Sequence, residues 1–335
     1  MVLSGIILAS MAVQRAPLLF EKAKLLARTS GWAEVSVGVP DYRWLDSNTV
    51  LFQLPRPEEP TRISSLDTRS GKVAEVECLQ DFSQLTGDFS TLQVSPNGDK
   101  ILWAGGTGSS AKWYVTTLGN TQVLSFARKR LRDPSNPPMP DDYSLASWSW
   151  DGKSVLESVV SYGGEGGVAM WRRNLSKLAS ESNLPFAKCS VDGHPSLIGL
   201  NKAFASSGLL AGSPRSSVGF RTWNVLEPRA TYRGWTVSVP KGRTIESFVH
   251  SHSGHRILWD LSVHDGKSRD PWDSIGEEIW LTDGTGAGWK LVATVPIRTE
   301  EERRRVETFG IPKWVPGDRA ISFVYSGGLY TFDLP

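Results

Sequence analysis

Cysteine is scarce: Cys78 and Cys189 are the only two in 335 residues. That is too few for a disulfide scaffold or a structural zinc site. An excess of one charge is missing too. A formal balance of +2, with 21% charged residues, describes an ordinary globular protein and gives no support to a disordered tail or a polyanion binder. Long apolar runs are also lacking. The stretch 2-VLSGIILASMAV-13 falls short of the roughly 20 apolar residues that cross a bilayer, so no stable transmembrane span is expected. It resembles the apolar core of a secretory signal without basic residues ahead of it, the alternative being a helix packed on the domain. A periplasmic or secreted location is the expectation, with the cytoplasm as the alternative.

Catalytic signatures are missing as well. No Gly-x-Ser-x-Gly elbow appears. The glycine runs Gly105-Gly106-Thr107-Gly108 and Gly163-Gly164-Glu165-Gly166-Gly167 sit between strand patterns rather than opening helices, so they are not phosphate loops. Asp141-Asp142 are neighbours on a Pro-rich loop, which does not define a glycosidase pair. We assign no catalytic residue, no cofactor and no nucleic-acid partner.

What is present is 14 Trp and 32 Gly. Aromatics interspersed with Gly, Asn and Asp turns point to an all-β protein. One local unit recurs. The stretch 91-TLQVSPNGDKILW-103 aligns with 247-SFVHSHSGHRILW-259, matching Ser95 to Ser251, Gly98 to Gly254 and the whole Ile-Leu-Trp run. Further copies are 146-ASWSWDGKSVLES-158 and 187-AKCSVDGHPSLIGL-200, with weaker ones at 42–52 and 313–323. Each reads as a β-hairpin. A second strand–turn–strand follows each at 61–79, 112–126, 167–180, 218–239 and 277–295, while 328-GLYTFDLP-335 supplies one strand and stops. Units of four strands spaced by roughly 40 to 65 residues predict a six-bladed β-propeller of four-stranded antiparallel blades. The incomplete last blade needs another strand. The alternating segment 32-WAEVSVGV-39 is the expected one, paired with Leu329–Leu334. Before it, 17-PLLFEKAKLLARTSG-31 reads as a short amphipathic helix. The expected organisation is therefore an N-terminal segment over 1–31 and a propeller over 32–335.

The turns Ser95-Pro96-Asn97-Gly98 and Trp150-Asp151-Gly152-Lys153, with 279-IWLTDGTG-286 and 328-GLYTFDL-334, resemble the repeats of TolB-type β-propellers. The resemblance implies a six-bladed propeller used mainly for protein contacts in the cell envelope. Related propellers front serine peptidases and occur in some lyases. The separate α/β domain of TolB has no counterpart in the roughly 31 residues before the repeats.

In such a meander the A–B and C–D turns lie at one end, and the B–C loops and blade-to-blade connections at the other. The second set is long: 127–143, 201–217, 264–276 and 296–310. Loops on a rigid scaffold are where binding concentrates. The long-loop end is therefore the expected contact surface for a protein partner. Trp272 and Arg269 on one of its loops, and Arg130 and Arg132 on another, are the candidate contacts. Lone loop aromatics and charges also serve as packing or solvated surface. The run Glu300–Arg305 reads as a short helix whose opposite charges offset at i,i+3. His250, His252 and His255 form a candidate metal cluster. They align with Val94, Pro96 and Asp99 of the second unit, so the expected reading is a surface turn without metal. Trp44, Trp103, Trp148 and Trp259 stand at repeat positions and are expected to fill the spaces between blades. The expectation is a non-catalytic binding scaffold. The alternative is a propeller lyase or hydrolase acting on a glycan in the central funnel.

Overall fold

A computed structural model describes residues 19–335 except 37–38, 55–61, 86, 107–109, 121–122, 129–143, 162–166, 177–179, 184–186, 189–195, 198–201, 208–215, 225–231, 265–273, 298 and 307–308. Among the described residues, six antiparallel sheets of four strands or more follow one another, each a blade whose strands A to D run outward from the axis. Blade one is Tyr42–Trp44, Thr49–Leu54, Arg62–Asp67 and Val73–Glu75; blade two is Asp88–Val94, Lys100–Gly105, Lys112–Thr117 and Val123–Ala127. Blade three is Leu145–Trp148, Ser154–Ser161, Gly167–Asn174 and Ser180–Asn183; blade four is Ser196–Leu197, Lys202–Ser207, Ser217–Asn224 and Tyr232–Ser238. Blade five is Arg243–His250, Arg256–Val263, Gly276–Asp283 and Lys290–Pro296. Blade six is Lys313–Trp314, Ala320–Tyr325, Gly328–Asp333 and, outermost, Lys24–Arg28.

The ring is sealed by an N-terminal strand, though an earlier one than expected. Lys24–Arg28 pairs with the last strand in the register Leu25 to Tyr330 and Arg28 to Gly328. The helix expected over 17–31 is reduced, among the described residues, to Leu19–Lys22. Lys-Leu-Leu-Ala-Arg has helical propensity, but an open sheet edge offers a row of unsatisfied backbone groups, and pairing with it overrides that weak preference. The described residues of 32–39 do not pair with the last strand. Gly31, at φ +84, turns the chain, Trp32 stacks on Phe52 with ring centroids 4.1 Å apart, and Glu34–Ser36 folds back on Val39–Pro40. It is the connection into blade one.

Blade four is also shifted from the expected boundary. Ala187–Lys188 does not open it. Those residues complete the outer edge of blade three, where Ser180–Asn183 covers only Trp171–Arg173 and leaves Gly167 and Val168 for Lys188 and Ala187. The segment 201–217 is accordingly not all loop, since it contains the strand Lys202–Ser207.

Packing follows the two-residue period of the strands. On the second strand of blade two, Ile101 and Trp103 face blade one, while Leu102 and Ala104 face blade three. On blade five, Ile257, Trp259 and Leu261 pack on blade four, and Leu258 packs on blade six. Trp44, Trp103, Trp148 and Trp259 are buried at these seams, as expected. Each fully buried large side chain contributes about 1.5–3 kcal/mol, so the core is a set of interblade seams rather than one central mass.

The A–B turns repeat bond by bond. The amides of Gly98, Gly152 and Gly254 donate to the carbonyls of Ser95, Ser149 and Ser251 at 2.8, 2.8 and 2.9 Å. The serine hydroxyls accept from the amides of Lys100, Ser154 and Arg256 at 3.0, 2.9 and 3.2 Å. The glycines sit at φ +71, +67 and +69, where a side chain is disfavoured. In blade six Asp318 takes this left-handed position at φ +58, and its carboxylate is thereby free to serve a neighbour.

Candidate functional site

Titratable groups collect at both ends of the ring, in different company. At the long-loop end, the first residues of the inner strands meet around the axis. Lys313 of blade six donates to Asp41 Oδ1 at 2.6 Å and to the Tyr42 carbonyl at 2.7 Å, with its ammonium 4.3 Å from the Tyr42 ring centre. Arg43 also pairs with Asp41, and reaches blade two by donating to the carbonyls of Leu92 and Ser90 at 2.8 and 3.1 Å. Ser322 Oγ lies 2.9 Å from the Tyr42 hydroxyl and accepts from the Trp44 indole at 2.7 Å. Burial would raise the Asp41 carboxyl, but the Lys313 and Arg43 charges together hold it below the usual range. Burial, with the Arg43 charge, pushes Lys313 down to about 8 despite its partner, while 28% of its side chain remains exposed.

Blade five carries a second group at this end. Asp260, Glu246 and Glu277 come close enough to couple electrostatically. Asp260 follows Trp259 in the buried alternation, on the same strand face as Leu258, towards blade six. Burial, then the Glu246 charge, raises Asp260 to about 7, and burial with the Asp260 and Glu246 charges raises Glu277 well above its ordinary value. Among the described residues, Asp260 Oδ1 and Glu277 Oε2 are buried without a hydrogen-bond partner, whereas Glu246 accepts from Ser262 at 2.6 Å. Glu278, beside them in sequence, is neutralised by a two-bond pair with Arg243 at 2.9 and 3.0 Å. A carboxyl that changes charge near neutrality can act as an acid or base, so Asp260 and Lys313 are the chemically tunable groups of this end.

The histidines do not gather. His250 is half-buried beside the rings of Phe220 and Phe248, and that desolvation lowers it to about 4. His252 turns away to Asp318, with Nδ1 2.9 Å from Oδ1, and His255 faces a cavity beside the turn. His264 lies at the other end, 2.8 Å from the Thr244 hydroxyl. Among the described residues no group of three His, Cys, Asp or Glu side chains is placed to hold a metal. Trp272, Arg269, Arg130 and Arg132 lie outside the described residues. Their neighbour Arg128 donates to the Ser144 carbonyl at 2.7 Å and lies over Trp113. Cys78 is a free thiol raised by burial, and Cys189 lies outside the described residues. The helix Glu300–Val306 forms as expected, with Thr299 and Glu302 capping one another at 3.1 Å and Arg303 3.7 Å from Glu300.

Three groups escaped the reading from spacing: Lys313 with Asp41, the carboxylates around Asp260, and the clasp of Asp318 on blade five. A carboxylate inside the apolar alternation Ile257-Leu258-Trp259-Asp260-Leu261 was the available signal for the second.

No family model matches the chain, and no curated protein matches it. Solved structures do. An oligogalacturonate lyase in complex with manganese is similar at 13% identity over 95% of this chain and 97% of that one, with a TM-score of 0.52. Pyrococcus horikoshii acylaminoacyl peptidase is similar at 13% identity over 91% of this chain and 44% of that one, TM-score 0.48. TolB from Acinetobacter baumannii is similar at 14% identity over 77% of this chain and 54% of that one, TM-score 0.41. Likeness at these identities concerns the fold. The chain is a β-propeller, the architecture that its TolB-like repeats imply.

Proposed function

We propose that this chain is a binding propeller without chemistry of its own, which engages a protein partner through the long-loop end. One observation carries the reading. The large apolar side chains exposed among the described residues are Leu25, Val73, Leu145, Ile275 and Ile311. Leu145 at 39%, Ile275 at 48% and Ile311 at 58% all stand at the long-loop end, where the chain enters an inner strand or leaves a B–C loop. Apolar side chains kept in water on one end of a rigid ring are the raw material of an interface. The resemblance of the repeats to TolB-type propellers supports placing the partner in the cell envelope. The test is crosslinking and capture in the native cell with the unmodified chain, the double variant Ile275→Asp/Ile311→Asp, and Asn120→Asp at the opposite end as control. Loss of the captured protein from the double variant alone supports the reading; equal capture by all three rejects it.

A second reading, a lyase or hydrolase acting on a glycan, is favoured by the tuning of Asp260 and Lys313 into the neutral range at the same end. Turnover of an acidic polysaccharide that disappears in Asp260→Asn and Lys313→Met would select it over the scaffold.

A further inference from the structure

The short-turn end holds a cavity of about 390 Å³, open to solvent, that the long-loop reading leaves unused. Its walls come from three blades: Trp150 from the turn of blade three, Trp235 from the outer strand of blade four, and His250, His255, Asp283 and Thr285 from blade five. Glycine makes the assembly possible. A Cβ on Gly284 would stand 2.4 Å from the Gly254 carbonyl, so the two turns of blade five touch backbone to backbone. A Cβ on Gly254 would fall 1.7 Å from the Trp150 ring, so that indole lies directly on the floor. The Trp235 indole donates to the Thr285 carbonyl at 2.8 Å, which fixes the second aromatic wall beside the same turn.

Among the described residues that line this cavity, which include His250 and His255 but neither Lys nor Arg, the one acid is Asp283. Its Oδ1 accepts from the amides of Thr285 and Ala287 at 2.8 and 3.0 Å and from the Thr285 hydroxyl at 2.6 Å. The Thr285 hydroxyl and the turn amides hold the carboxyl below its usual range, against burial, so it is charged at neutral pH. His250 is kept neutral by burial and offers no competing positive charge. Two indoles beside a fixed anion attract a positive charge on an organic frame, because the face of each ring carries a negative quadrupole.

We propose that this cavity binds an organic cation, an alkylammonium or guanidinium group, against Trp150 and Trp235 with Asp283 as its counter-ion. The group belongs either to a free small molecule or to a side chain of a peptide. The site is independent of the partner surface at the opposite end.

Calorimetric titration of the full chain tests it with five probes: tetramethylammonium, ethylguanidinium, an end-blocked Ala-Arg-Ala peptide, and the uncharged tert-butanol and glucose. Saturable one-site binding of a cation without binding of the neutral probes is expected. Asp283→Asn keeps an oxygen for the turn amides and should weaken that binding roughly tenfold. Should that variant lose its circular-dichroism signature, Trp235→Phe replaces it, with the same direction of change expected because the weaker quadrupole remains in place. A peptide that binds more tightly than both small cations assigns the site to a polypeptide ligand; equal or weaker binding assigns it to a free cation. No saturable cation binding, unchanged affinity in the folded variant, or glucose binding in place of the cations overturns the proposal.

Discussion

The two ends of the ring treat their carboxylates in opposite ways. At the short-turn end Asp67, Asp99, Asp151, Asp283 and Asp318 all sit below the ordinary aspartate range. Turn amides and hydroxyls hold Asp67 and Asp283, and at Asp99, Asp151 and Asp318 hydrogen bonds outweigh a burial penalty, the first contributors being the Lys100 ammonium, the Ser149 hydroxyl and His252 in turn. At the long-loop end Asp260 and Glu277 are raised, with buried oxygens that no donor among the described residues reaches. Asp41 is the exception there, because two cations meet it. A tight turn presents backbone donors at fixed positions, so an acid placed in it is satisfied as part of folding. A strand interior has already committed its amides to the neighbouring strands and has none to spare. One end is consequently a structural clasp, and the other retains unspent polarity.

Substitution at Asp260 gives the largest expected effect. With a folded value of about 7 against 3.8 for the unfolded chain, this group binds more protons when folded. Its favourable contribution is complete below about pH 4 and is lost as the pH rises through about 7. Asp260→Asn should therefore be more stable than the parent at pH 8 by about 4 kcal/mol and close to it at pH 4, measured by urea unfolding at both. Equal gains at the two pH values would erase the contrast between the ends. Asp318 has the opposite sign. Depressed when folded, it contributes above about pH 4, and the contribution fades as the pH falls. Asp318→Ala removes the acceptor for the amides of His252 and Ser253, both at 2.9 Å. It should cost about 2–3 kcal/mol at pH 7, with the deficit shrinking in acid.

A smaller effect is expected at Gly254, where the left-handed backbone and the Trp150 ring both oppose a methyl group. Gly254→Ala should cost about 1–2 kcal/mol and displace Trp150, readable as a shift in tryptophan fluorescence. The smallest belongs to Ser95→Ala, which deletes two bonds of the hydroxyl, one accepted from the Lys100 amide at 3.0 Å and one donated to Asp99 Oδ1 at 2.9 Å, and should cost about 1 kcal/mol. A cost at Ser95 as large as at Asp318 would show that the turn serine, rather than the interblade carboxylate, dominates the clasp.

Much of this architecture was legible because it repeats. Ser95, Ser149 and Ser251 announce the same turn three times, and the Trp103 and Trp259 positions announce the same seam. What was misread lacks a repeat partner. Lys24–Arg28 has the composition of a helix and becomes a strand only because a sheet edge awaits it. Ala187–Lys188 opens with the pattern of a new blade and instead patches the rim of the previous one. The site groups were hidden by sequence distance. Lys313 and Asp41 stand 272 positions apart, although each opens or directly precedes an inner strand, and that shared position joins them across the seam between last and first blades.

The seal between Leu25 and Tyr330 has a consequence for biosynthesis. Its two halves lie on either side of all the intervening blades in the sequence, so the circle cannot shut until the last blade has been made. Loop closure over such a span is slow, and the waiting blades must meanwhile hold a bare edge in a crowded cell. A chaperone that shields such edges would shorten that hazardous interval, and truncating the final strand would make it permanent.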